Sequence, residues 1–128
     1  MKPGAVVLGV QARLPQAAAR MRAGGTSVAA VLDEGRLLGV VTERDLVRAL
    51  ADDAIRTATV ADYMTAEPCT IGPEADARDA AALMVSRQVR HLPVVEGDAV
   101  LGFVSARDLL DLSRRRPVDL ERLGYEPW

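Results

Sequence analysis

The sequence predicts an α+β fold in which two β-α-β-β-α repeats pack as a pseudo-two-fold pair. First, an octapeptide recurs: Gly39-Val40-Val41-Thr42-Glu43-Arg44-Asp45-Leu46 returns as Gly102-Phe103-Val104-Ser105-Ala106-Arg107-Asp108-Leu109, offset by 63 residues. Second, laying residues 6–50 on 69–113 without a gap gives 13 identities in 45 positions, so the halves are copies of one supersecondary unit. Third, each half, at about 45–60 residues, is of a size that rarely supplies a sufficient core by itself, so the two are expected to pack face to face through their strands.

The first half opens with the apolar run Ala5-Val6-Val7-Leu8, a strand. Residues 16–22 carry Ala17, Ala18 and Met21 at helical spacing, with Pro15 suited to the first helical position and Gly24-Gly25 as the stop. Val28 to Leu32 and Leu37 to Val41 read as strands joined by the turn Asp33-Glu34-Gly35, a hairpin. Thr42 opens a helix through about Leu50, with Leu46, Val47 and Leu50 on one face.

The second half repeats the order. Cys69 to Ile71 reads as a strand, and Asp79 to Arg87 as a helix carrying Ala80, Leu83 and Met84. Leu92 to Val95 and Val100 to Val104 are strands around Glu96-Gly97-Asp98, and Ala106 to Leu112 is a helix. Between the halves, residues 52–65 form a connector with a short helical turn at Val60 to Tyr63. The repeats are assigned to residues 1–58 and 59–116, with a tail at 117–128. Gly35 aligns with Asp98, and Gly97 with Glu34, so the two hairpin tips are expected to differ in backbone conformation.

With 49% hydrophobic and 27% charged residues, the chain is globular rather than disordered. Its apolar runs fall far short of the roughly 18–20 residues of a membrane span, and no signal peptide is read at its start. Neither a membrane nor a nucleic acid is expected as partner, the latter because the net charge is −2. One cysteine and one histidine, Cys69 and His91, leave little for a disulfide, a metal cage or a triad. No nucleophile–base pair or cofactor fingerprint is present, so no catalytic residue, metal or cofactor is assigned, and the cytoplasm is the expected compartment.

The motifs Thr42-x-x-Asp45 and Ser105-x-x-Asp108 each support two readings. A hydroxyl followed three residues later by an acid is a helix cap. It also suits a nucleotide: the helix start favours a phosphate, and a carboxylate can accept two ribose hydroxyls. Gly39 and Gly102 mark tight packing or a bulge, or else close approach of a ligand. Arg44 and Arg107 either meet an anion or pair with surface carboxylates. Arg90 and His91 make the second half more basic, although His91 could equally be a satisfied strand histidine. Cys69 reads as an apolar strand residue, and Met21, Met64 and Met84 as packing. Arg114-Arg115-Arg116-Pro117 would close the last helix, residues 118–124 form a short helix, and the aromatic end at 125–128 dock on the body or a partner.

Taken together, the segments Val31 to Leu46, Asp62-Tyr63-Met64-Thr65, Val89-Arg90-His91-Leu92-Pro93-Val94-Val95 and Leu101 to Leu109 resemble a tandem pair of cystathionine-β-synthase (CBS) domains, the Bateman module. The resemblance covers nearly all of residues 5–113. It implies a regulatory protein, not an enzyme, that holds an adenosine-containing ligand such as AMP, ADP or ATP in the cleft between its repeats. It implies Thr70, Ile71, Arg90, His91, Leu92, Pro93, Ser105, Arg107 and Asp108 for a site on the second half. For the first half it implies Val7, Val28, Ala29, Ala30, Thr42, Arg44 and Asp45. A homodimer and a separate regulated protein are the expected partners. The alternative is a dimerisation module without a ligand.

Overall fold

The computed structural model describes residues 2–3 and 5–113. In chain order the elements are β1 (Lys2–Pro3), β2 (Val7–Gly9), α1 (Leu14–Ala23), β3 (Val28–Asp33), β4 (Arg36–Thr42) and α2 (Glu43–Ala51). Then come α3 (Val60–Tyr63), β5 (Thr65–Ala66), α4 (Ala77–Arg87), β6 (His91–Glu96), β7 (Ala99–Ser105) and α5 (Ala106–Ser113). The arginine run, the short helix and the aromatic end expected after residue 113 lie outside the described residues.

The 63-residue offset survives in the hydrogen-bond register. β3 pairs with β4 through Val28↔Thr42, Ala29↔Val41, Ala30↔Val40 and Val31↔Gly39, and then slips at Leu38 to Leu32↔Leu37. β6 and β7 repeat this as His91↔Ser105, Leu92↔Val104, Pro93↔Phe103 and Val94↔Gly102, slipping at Leu101 to Val95↔Val100. The hairpin tips differ as expected. Glu34 and Gly35 both take positive φ (50° and 79°), the pattern of a type I′ turn, whereas in the second tip the positive residue is Gly97 (59°).

Each sheet borrows a strand from the segment that precedes the other repeat. β1 pairs with β7 (Lys2↔Phe103, Pro3↔Gly102), and β5 pairs with β4 (Thr65↔Val40, Ala66↔Gly39), again 63 residues apart. The resulting sheets are β2-β3-β4-β5 and β1-β7-β6. This exchange explains Gly39. A Cβ there would lie 2.5 Å from Met64 Sδ and 2.7 Å from the Thr65 carbonyl oxygen, so only glycine lets β5 approach.

The strand expected at Cys69 to Ile71 shrinks to a single parallel bridge, Ile71↔Val94. Two prolines cause this. In the first repeat the Ala30 amide donates to the Val6 carbonyl at 2.9 Å and the Val10 amide to the Leu32 carbonyl at 3.1 Å. The matching positions are Pro93 and Pro73, which have no N–H to donate. The central bonds remain, Ile71 N to Pro93 O at 3.0 Å and Val95 N to Ile71 O at 2.8 Å. Helices α1 and α4 each begin two residues before their expected starts; Asp76 caps α4 by accepting from the Asp79 amide at 2.9 Å.

Alternation along the strands divides the core in three. Ala29, Val31 and Val41 face α1 and α2 with Leu8, Leu14, Ala17 and Met21. Leu92, Val94 and Val104 do the same in the second repeat with Ala80 and Met84. Val28, Ala30 and Phe103 point the other way and fill the space between the sheets. Both faces of β3 are therefore buried, and the halves pack through their strands.

Candidate functional site

Where the repeats meet, a cleft of about 1100 Å³ opens between the start of β3, the start of β6 and the N-terminus of α5. Six of the expected site residues line it: Val28, Arg90, His91, Ser105, Arg107 and Asp108. Ala5, Val6 and Phe103 give it apolar walls, while Arg22 and Glu43 add charge from the first repeat. Three arginines thus face two carboxylates around one cavity.

Local chemistry fixes the polar end. Ser105 is the N-cap of α5: its hydroxyl accepts from the Asp108 amide at 3.1 Å, and its own amide donates to Asp108 Oδ2 at 2.8 Å. That reciprocal box ties off two end amides and turns the Asp108 carboxylate to the rim. The helix start also carries partial positive charge, which favours an anion. At the junction of the repeats, Ser27 Oγ lies 3.1 Å from His91 Nε2, and both residues line the cleft.

The other expected residues lie elsewhere. Leu92 and Pro93 are fully buried, Ala29 belongs to the first repeat's core and Ala30 to the inter-sheet core. Ile71 packs on the second core. Val7 is partly exposed on β2, beside the lining residue Val6. Thr70 borders a separate cavity of about 280 Å³ with Arg36, Glu67 and Asp98. Thr42 and Asp45 cap α2, and Arg44 is exposed on its first turn.

Reasoning from the repeat alone misses Ser27, Arg22 and Glu43 as lining residues. Ser27 had a signal: it aligns with Arg90 under the 63-residue offset. Arg22 had none, because it comes from a helix whose polar face looks like ordinary solvated surface. Among the described residues, no group of three or more His, Cys, Asp or Glu is placed to hold a metal ion. No described helix is long and apolar enough to cross a membrane.

A family model for the CBS domain matches the chain twice, over residues 1–52 and 60–115. The chain belongs to the CBS-domain family. The CBS domain-containing protein YhcV of Bacillus subtilis is 30% identical over 97 residues, covering 75% of this chain and 69% of YhcV. MJ1225 of Methanocaldococcus jannaschii is 34% identical over 82 residues, 64% of this chain, but the chain spans only 29% of that protein. Among solved structures, the CBS domain NE2398 superposes with a TM-score of 0.81 at 26% identity, covering 88% of this chain and 89% of that one. The CBS domain protein PAE2072 of Pyrobaculum aerophilum, solved in complex with AMP, gives 0.77 at 25% identity, covering 89% and 94%.

Proposed function

We propose that this CBS pair is a regulatory module that binds an adenosine-containing ligand, such as AMP, ADP or ATP, in the cleft between its repeats. The observation that carries this reading is the convergence of the Ser105–Asp108 cap, the α5 start, arginines 90 and 107 and an apolar wall on one cavity. Each part suits one portion of a nucleotide. The Asp108 carboxylate accepts ribose hydroxyls. The α5 amides with Arg107 and Arg90 meet phosphate. Val6, Val28 and Phe103 offer the base an apolar surface. The AMP complex of PAE2072 supports the same ligand class.

Binding shifts the repeats between two geometries only to the extent that the ligand prefers one of them. A regulated protein or a neighbouring domain reads the change. A homodimer is the proposed assembly: α2 exposes Val47 and Leu50, 63% and 66% accessible, on one face. That same face favours the second reading, a dimerisation module without a ligand. Cys69, an unpaired thiol, fits a reducing cytoplasm.

A thermal-shift series with AMP, ADP, ATP and S-adenosylmethionine decides between the two readings. A ligand at about a hundred times its Kd stabilises by about 2.7 kcal/mol, a shift of several degrees. Stabilisation that disappears in Asp108→Ala supports the sensor. No stabilisation by any of the four at millimolar concentration contradicts it.

A further inference from the structure

We infer that Arg22 is a specificity residue of the cleft: it reads the length of the phosphate chain, so that the site takes a nucleoside di- or triphosphate in preference to a monophosphate. This deepens the nucleotide reading of the cleft and rests on it.

Arg22 stands apart from the repeat. Its counterpart under the 63-residue offset is Val85, so the cation belongs to the first repeat alone and not to the shared motif. It sits in the last turn of α1, and the end of that helix, with Met21, Gly24 and Gly25, forms a wall of the cleft. A helix C-terminus repels an anion through its carbonyl oxygens. Here three of those carbonyls are tied off: the Gly24 amide donates to Arg20 O at 2.9 Å, the Thr26 amide to Met21 O at 3.0 Å and the Gly25 amide to Arg22 O at 3.1 Å. The charge this wall brings to the cavity is that of Arg22.

Among the described residues, Arg22, Arg90 and Arg107 make no ion pair or side-chain hydrogen bond, whereas Arg48 pairs with Asp45 at 3.0 Å. The α5 start with Arg107 and Arg90 suffices for one phosphate. Each further phosphate adds negative charge, and the lining cation left to meet it is Arg22, on the other repeat. Glu43, at the start of α2, marks the side such a tail avoids. A cleft of about 1100 Å³ has room for the tail, being at the top of the roughly 300–1,000 Å³ range of small-molecule sites. A phosphate chain running from α5 to α1 would join the two repeats, which a monophosphate held at α5 would not. Arg20 shares the last turn of α1 but does not line the cleft. A cation that merely complements the helix end would act equally from either position.

Calorimetric titration of the full chain with AMP, ADP and ATP in magnesium-free buffer tests this, with Arg22→Gln and Arg20→Gln as the compared variants. Both arginines are exposed, so both variants should melt close to wild type. Wild type should bind ATP about tenfold or more tighter than AMP, with ADP between, the weight of a charge-assisted hydrogen bond. Arg22→Gln should cut that ratio by about tenfold, and Arg20→Gln should leave it within about twofold. Equal affinity of wild type for AMP and ATP, an unchanged ratio in Arg22→Gln, or an equal loss in Arg20→Gln overturns the inference and leaves the nucleotide site standing. Wild type that binds none of the three refutes the nucleotide reading itself, and this inference with it.

Discussion

Ser27 and His91, one from each repeat, meet across the pseudo-dyad with 3.1 Å between hydroxyl oxygen and Nε2. Ser27 immediately precedes β3 and His91 opens β6, so a side-chain hydrogen bond spans the junction that a ligand would contact. The bond is part-buried and therefore matters more than an exposed one. A double-mutant cycle of Ser27→Ala and His91→Ala, followed by urea denaturation, should give a coupling energy of about 1 kcal/mol. A value near zero would show that the contact does not hold the repeats together.

Gly39→Ala should destabilise the chain by about 1–3 kcal/mol, because the added methyl meets Met64 and the Thr65 carbonyl where β5 joins β4. Gly9→Ala is the control. Nothing lies within 4 Å of its Cβ position, and chemical denaturation should show a change of less than about 0.5 kcal/mol.

Leu92 is fully buried in the second repeat's core. Leu92→Ala removes most of a packed side chain and leaves a cavity, at a cost of about 2–5 kcal/mol. The cleft residues at the start of β6 depend on this strand, so nucleotide affinity should fall in the same variant. Binding that stays intact while the melting temperature drops would show that the cleft is independent of the core beneath it.

The hydrogen bond from Tyr63 to Asp52 holds the phenolic pKa above its usual 10.0, with burial and the Asp52 charge adding to the effect. The folded chain therefore keeps that proton more tightly than the unfolded chain. The stabilisation is complete below the unfolded value and is lost as pH rises through the folded one. Ultraviolet titration of the phenolate band should show Tyr63 ionising late, and Asp52→Asn should bring it back toward 10.0. Identical curves for the two proteins would contradict the bond.

Much of the fold was legible because one offset repeats. Both hairpins, their differing tips and the α3 turn follow from the octapeptide and the turn residues. The exchange of β1 and β5 was not legible. Lys2-Pro3 and Thr65-Ala66 are equivalent in space but share no residue, and a two-residue strand has no periodicity to read. The reduction of the Cys69–Ile71 strand was encoded in Pro73 and Pro93, but seeing it required knowing which amides the first repeat uses. At the site, the motif showed where both aspartates lie on their helices but not that Arg48 donates to Asp45 at 3.0 Å. That depends on a residue three positions further along the helix, whose partner Tyr63 is visible only once α3 has folded against it.

A crystal structure grown with AMP is the most direct test of the ligand site. Nucleotide density in the cleft, with the ribose hydroxyls within hydrogen-bonding distance of Asp108 and the phosphate at the start of α5, is the predicted result. A cleft without nucleotide at saturating AMP, or AMP seated against Asp45 instead, would contradict it.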